Sequence, residues 1–76
     1  MEFERIREII ADQMNIAEDK ISAKTSFFDD LGADSLDLFQ IISELEEEFD
    51  LEFSNEAAEK IKTVGDAAEY VKKALE

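Results

Sequence analysis

The chain has 76 residues, with 21 acidic and 8 basic side chains, and its formal net charge is −13. This length allows a single domain, which we expect to span residues 1–76. Nucleic acid is not an expected partner, because its phosphates would repel so negative a chain. The chain contains no cysteine and no histidine. Disulfide bonds, thiol and triad catalysis and the usual zinc ligand sets are therefore excluded, and we expect no metal site.

The balance of residue types favours a small, folded, helical protein. Hydrophobic residues make up 45% of the chain, which argues against disorder despite the high charge. With only two glycines and no proline, the composition favours helices over strands. The chain has neither a continuous apolar run of about 18 residues nor a charged-then-apolar leader. We therefore expect a cytoplasmic protein that does not insert into membranes.

The negative charge is concentrated in the middle of the chain. Between Lys24 and Lys60 there are twelve acidic residues and no lysine or arginine. Such a segment is either a solvated face that keeps the protein soluble or a docking surface for basic partners. Charge alone leaves both interpretations open.

The first half of the chain predicts a helix followed by a packed loop. Apolar residues recur at helical spacing over residues 2–14, where we expect the first helix. The period is lost from Asn15 to Asp34, yet this stretch is too apolar for a free linker. Residues 26–31 are expected to form one helical turn that Gly32 stops. Loops this long within compact domains are uncommon and often functional.

The second predicted helix runs from Ser35 to Phe49 and has two distinct faces. Its core-facing stripe contains Leu38, Ile41, Ile42, Leu45 and Phe49. The opposite face contains Leu36, Phe39, Gln40, Ser43 and Glu47. Burial of the first stripe leaves Leu36 and Phe39 in water among acidic residues. This combination indicates a small docking patch.

The last third predicts two more helices. Ser54 is the expected N-cap of a short helix that includes residues 57–61 and covers the core. Thr63 and Asp66 resemble a capping box, and the final helix continues from there through the C-terminus. The sequence thus predicts an all-α fold: a four-helix bundle of three main helices and a short third helix, with a long loop between helices one and two.

Few kinds of chemistry remain open to this chain. It offers no isolated carboxylate pair for acid–base catalysis, no calcium-loop spacing and no glycine-rich phosphate loop, so we do not expect an enzyme. The distinctive residue is Ser35, which follows a loop and begins a helix. With Asp34 as N-cap, its hydroxyl lies where free N–H groups and the helix dipole favour an attached phosphate. The alternative is that Ser35 is only a capping residue.

Three motifs together resemble a known family. They are Asp34-Ser35-Leu36-Asp37, Leu45-Glu46-Glu47-Glu48-Phe49 and Thr63-Val64-Gly65-Asp66-Ala67. Their order and spacing are similar to those of the acyl carrier proteins of type II fatty acid synthesis, and the resemblance covers essentially the whole chain. It implies a single acyl carrier domain in which Ser35 carries 4′-phosphopantetheine, installed from coenzyme A by a separate phosphopantetheinyl transferase. The thiol of that group would hold acyl chains as thioesters.

The same resemblance implies roles for further residues. Asp34, Leu36 and Asp37 would be recognised beside the modified serine, and Phe39, Gln40 and Glu47 would meet basic patches on the enzymes of fatty acid synthesis. The acyl chain would lie between the helices, in a pocket formed by Ile41, Ile42, Leu45, Ile61 and Val71. Core packing would explain these five residues equally well. We expect a monomer.

Some positions depart from the commonest family pattern. Gln40 stands where an acidic residue is usual, Phe39 where valine is usual, Ser43 where methionine is usual and Asn55 where aspartate is frequent. These differences leave attachment unaffected but bear on partner choice. A specialised carrier for polyketide, peptide or lipid-modifying assembly therefore stays open. In a different class, the chain would be an acidic protein-interaction module with an unmodified Ser35.

Overall fold

The computed structural model describes residues 2–76. This part of the chain forms four α-helices: α1 (Glu2–Met14), α2 (Ser35–Phe49), α3 (Asn55–Lys60) and α4 (Val64–Leu75). Helix α1 packs against both α2 and α4. The fold confirms the predicted all-α bundle with three main helices and a short third one. Across residues 2–76, no helix is both long and apolar enough to cross a membrane.

One apolar core joins the helices and the long loop. Its fully enclosed side chains come from every main helix and from the loop: Ile6, Ile10, Phe27, Ile41, Leu45, Val64 and Val71. Burial of these side chains is the main favourable contribution to folding. The residues of the core-facing stripe predicted for α2 are buried from Leu38 through Leu45. The last of them, Phe49, is only half-buried.

The loop of residues 15–34 is packed, as its apolar content predicts, and Thr25 and Phe27 are buried in it. It contains a 3₁₀ turn at Glu18–Lys20 that the sequence pattern did not predict. The helical turn predicted at residues 26–31 is present as a single turn that does not continue into a helix. There the carbonyl of Ser26 accepts from two successive N–H groups, those of residues 30 and 31, at 3.1 Å each. Gly32 follows in the left-handed region with φ 66°, which ends the turn.

The loop is tied to the segment that begins α4. The N–H of Phe27 donates to the carbonyl of Lys62 at 3.0 Å, and the N–H of Val64 donates to the carbonyl of Thr25 at 2.9 Å. One residue further along, the N–H of Gly65 donates to the carbonyl of Ala23 at 2.8 Å. A Cβ at Gly65 would lie 2.8 Å from that oxygen, closer than real Cβ atoms come. These bonds position the loop that leads into α2.

Specific caps define the ends of the remaining helices. Asp50 ends α2 in the left-handed conformation with φ 52°. The next segment is then held by the Glu46 carboxylate, which accepts from the N–H of Phe53 at 2.8 Å. Ser54 caps α3 as predicted, but α3 ends at Lys60, so Ile61 lies just beyond it. Helix α3 itself contains no fully buried residue, and its partly buried Ala58 packs against the core.

Candidate functional site

Ser35 is the first residue of α2 and is exposed to solvent. Asp34 is the N-cap, and its carboxylate accepts from the N–H of Asp37 at 2.8 Å. In return, the Asp37 carboxylate accepts from the N–H of Asp34 at 3.3 Å, completing a capping box. Within residues 2–76, the N–H groups of Ser35 and Leu36 donate to no protein acceptor. The serine hydroxyl therefore stands beside two free donors at the positive end of the helix dipole.

A groove of about 440 Å³ opens beside this serine. It lies between the loop, α2 and α3, and is lined by Ser26, Phe28, Asp29, Ser35, Leu38, Phe39, Ile42, Ala58, Glu59, Ile61 and Lys62. Leu38, Ile42 and Ile61 are buried and supply its apolar inner side. Ser35 therefore lies at an apolar groove large enough to take part of a small ligand.

The structure divides the five residues predicted for the acyl pocket. Ile42 and Ile61 line the groove. Ile41, Leu45 and Val71 are fully enclosed in the core and do not line it. Sequence reasoning did not assign Phe28 or Ala58 to this site. The apolar character of the loop indicated that Phe28 packs, but not where. The short apolar face of α3 indicated that Ala58 covers the core, but not that it borders this groove.

Four of the six residues predicted for partner contact lie along one outer side of α2, and the other two, Asp34 and Asp37, form the capping box at its start. Leu36 and Phe39 are 69% and 64% exposed, and Gln40 and Glu47 are exposed as well. We call these four residues the outer face of α2. Exposed apolar side chains rimmed by carboxylates are typical of a docking surface that also uses charge.

The acidic residues of α2 have different surroundings. Glu48 pairs with Arg5 of α1 at 2.9 Å, and this hydrogen bond holds the pKa of the Glu48 carboxyl below its usual 4.5. Glu46 holds the following segment through the N–H of Phe53. Glu47, in contrast, forms no ion pair with any of residues 2–76. Its charge remains available to a partner.

The groups at this site suit a phosphate-linked flexible arm. An exposed hydroxyl allows esterification, two free N–H groups can solvate a nearby phosphate, and the groove can shelter an apolar group. Among residues 2–76, no three acidic side chains are grouped so that they could hold a metal ion. The exposed hydroxyl and the two free N–H groups therefore suit a phosphate-linked arm on Ser35.

Comparison with known proteins agrees with this chemistry. The family model described as "Phosphopantetheine attachment site" matches residues 4–71. The acyl carrier protein of Clostridium acetobutylicum is 53% identical over 72 residues, covering 95% of this chain and 94% of that protein. The acyl carrier protein of Bdellovibrio bacteriovorus is 51% identical over 69 residues, covering 91% of this chain and 88% of that protein.

Solved structures share the fold over nearly the whole chain. The acyl carrier protein of Enterococcus faecalis superposes with a TM-score of 0.82 at 37% identity, covering 96% of this chain and 92% of that one. A candidate acyl carrier protein of Mycobacterium tuberculosis gives a TM-score of 0.89 at 42% identity, covering 96% of this chain and 97% of that one. On sequence, fold and the phosphopantetheine attachment domain together, this chain belongs to the acyl carrier proteins.

Proposed function

We propose that Ser35 is the residue that carries 4′-phosphopantetheine and that the chain presents acyl thioesters to the enzymes of fatty acid synthesis. The observation that carries this proposal is the placement of Ser35. It is exposed, begins α2 beside two free N–H groups, and borders an apolar groove. The phosphopantetheine thiol supplies the thioester chemistry that a chain without cysteine lacks.

The residues around Ser35 would prepare the hydroxyl for modification. The capping box of Asp34 and Asp37 fixes the first turn of α2, so the serine is presented in one orientation. Their two carboxylates also add negative charge at this end of α2. A phosphopantetheinyl transferase that approaches with a basic surface would be attracted to this end of α2.

The outer face of α2 would then meet the enzymes that use the acyl chain. Leu36 and Phe39 offer apolar contact, and Glu47 offers a charge that no residue of the described chain neutralises. Long-range attraction to basic patches speeds encounter, while a small contact area keeps binding weak enough for release. The tether raises the concentration of the acyl group at each active site. In this function the chain is a cytoplasmic, monomeric carrier and the chemistry is done by its partners.

The proposal is tested by loading the protein in vitro. The wild-type chain, Ser35→Ala and Ser26→Ala are each incubated with coenzyme A and a broad-specificity phosphopantetheinyl transferase, and intact masses are measured. Ser26 is a matched control because it is a second serine that lines the same groove. We expect one phosphopantetheine on wild type and on Ser26→Ala, and none on Ser35→Ala. An unmodified wild-type chain, or modification that persists in Ser35→Ala, would refute the proposal.

The pathway is tested separately in cells. Acyl groups recovered on the purified carrier identify the reactions it serves. A series of saturated chains of increasing length supports fatty acid synthesis. A single unusual acyl or aminoacyl group would indicate the specialised carrier, to which the bulky, exposed Phe39 on the outer face lends support.

A further inference from the structure

Helix α2 contains five acidic residues and no basic residue, yet one of these charges is cancelled from outside the helix. Within residues 2–76, the one ion pair made by an acidic residue of α2 joins Glu48 to Arg5, at 2.9 Å. Arg5 belongs to α1 and lies 43 positions earlier in the chain. The fold therefore supplies α2 with a positive charge that its own segment lacks.

Arg5 lies in a second groove, which separates α1 from α2. This α1–α2 groove has a volume of about 380 Å³ and is lined by Arg5, Ile9, Asp12, Glu44, Glu47 and Glu48. Glu47, which forms no ion pair within the described chain, therefore lines the same groove as Arg5. Glu48 lies about 20 Å from Ser35 along the axis of α2, at 1.5 Å per residue. Arg5 thus marks the end of α2 that is remote from the serine.

Stabilisation of the fold is a small part of what the pair of Arg5 and Glu48 contributes. The two side chains are 46% and 37% exposed, and exposed ion pairs add little to the free energy of unfolding. A second bond holds the guanidinium in place, because Arg5 also donates to Glu8 at 2.8 Å. The pair has a larger effect on the surface, where it cancels one negative charge and places a cation in the groove that Glu47 lines.

We propose that Arg5 is a specificity-determining residue that confines basic partners to the part of α2 between Ser35 and Glu47. This inference rests on the proposed function, in which enzymes with basic patches dock on α2, and it adds where that docking ends. A lysine or arginine of a partner that moves past Glu47 meets a neutralised Glu48 and the guanidinium of Arg5. Like charges face each other there, so a shifted binding position is disfavoured.

The same contact limits how tightly a partner binds. Without the charge of Arg5, Glu48 would join Glu47 as a second unpaired carboxylate in the α1–α2 groove. A partner's basic patch would then gain one more favourable contact. A carrier has to leave each enzyme after its reaction, so keeping Glu48 paired favours release.

The experiment measures the binding of carriers to the ketoacyl synthase of a bacterial fatty acid synthesis system. Wild type is compared with Arg5→Gln, Arg5→Lys, Arg5→Gln/Glu48→Gln and Lys73→Gln. The last is the matched control, because it also removes one positive charge and frees one glutamate, Glu69, but does so on α4. Loading of each protein with phosphopantetheine is first checked by intact mass. Surface plasmon resonance then gives the dissociation constants at two salt concentrations.

Arg5→Gln should bind the synthase about three- to fivefold more tightly than wild type at low salt, and this gain should shrink at high salt. Arg5→Lys keeps the positive charge, and the double variant removes the carboxylate that Arg5→Gln sets free. Both should therefore bind as wild type does. Loss of a purely structural contact would weaken binding or leave it unchanged, so a gain in affinity separates the two roles.

The proposal is overturned if Arg5→Gln binds no more tightly than wild type. An equal gain in Lys73→Gln would also overturn it, because net charge would then explain the effect. A gain that persists in the double variant would do the same, because it would not depend on Glu48. A wild-type chain that accepts no arm in the loading step would instead refute the proposed function.

Discussion

The two faces of α2 carry similar apolar side chains in opposite surroundings. On the inner face, Ile41 and Leu45 are completely enclosed by the other helices and the loop. On the outer face, Leu36 and Phe39 keep about two thirds of their surface in water, at 69% and 64% exposed. One helix thus holds the domain together with one side and leaves the other in water, where the proposed partner contacts would form. Substitutions on the two faces should therefore separate stability from function.

The sharpest test of this comparison exchanges one leucine on each face for alanine. Leu45→Ala should lower the free energy of unfolding by about 2–5 kcal/mol, because it leaves a cavity in a closed core. Leu36→Ala should change it by less than about 0.5 kcal/mol, because the side chain is exposed. Urea denaturation followed by circular dichroism measures both. Equal losses of unfolding free energy in the two variants would show that the two faces do not differ in their contribution to stability.

A second test concerns the tie between the loop and α4, which positions one wall of the groove. Gly65→Ala should destabilise the fold by about 1–3 kcal/mol, since its Cβ would press on the carbonyl of Ala23. Gly32→Ala is the informative control: its Cβ meets nothing within 4 Å, but its φ of +66° strains alanine. Thermal unfolding measures both variants. An unchanged Tm in Gly65→Ala would mean that the loop can move away from the added Cβ at little cost in stability.

A third test reverses one charge on the outer face. Glu47→Lys should weaken binding to a fatty acid synthesis enzyme by about three- to tenfold, because a charge facing the basic partner is inverted. Glu52→Lys makes the same charge change in the segment between α2 and α3 and should have a smaller effect. Surface plasmon resonance at two salt concentrations measures both, and the difference should shrink at high salt. If both variants weaken binding to the enzyme equally, the attraction depends on the net charge of the protein and not on the position of Glu47.

The smallest expected effects come from pH and salt. Added salt screens the repulsion among the surplus carboxylates, so it should raise Tm at neutral pH. The pH dependence comes from Asp66. Hydrogen bonds from the N–H groups of Lys62 and Thr63 hold its pKa below the usual 3.8, so its contribution is present above that pH and lost as the pH falls through its folded pKa.

Asp66→Asn isolates this contribution. The stability difference between wild type and Asp66→Asn should be constant near neutral pH and shrink below about pH 3.8. Thermal unfolding across a pH series at fixed salt measures it. A difference that grows as the pH falls would contradict the assigned direction of the pKa shift. A flat salt series at neutral pH would show that repulsion does not limit stability.

Much of the local structure was predictable because it depends on near neighbours. The bounds of α1 and α2 match residues 2–14 and 35–49, and the capping box at Thr63 and Asp66 is present. The single helical turn expected at residues 26–31 is equally local. The N–H of Asp30 donates to the carbonyl of Ser26, four residues before it, and Gly32 ends the turn in the left-handed conformation.

The site was predictable in part. The exposed pair of Leu36 and Phe39 followed from the two faces of a single helix, whereas cap arguments placed Ser35 at the helix start and only the family resemblance singled it out as the site. The groove could not be predicted from the sequence, because it depends on how the loop and α3 pack beside α2. Apolar periodicity predicts burial for Leu45 and Ile42 in the same way. Only tertiary packing encloses Leu45 in the core and leaves Ile42 lining the groove.

The sequence by itself determined the four helices, the serine at the start of α2 and the surplus of negative charge around it. These features are encoded within a few residues of each position, through periodicity, caps and composition. Only the tertiary structure brought Phe28 to the same groove as Phe39 and closed the core beneath them. That arrangement depends on contacts between segments far apart in the chain, including the hydrogen bonds that tie the loop to α4. Local patterns carry no information on such pairings.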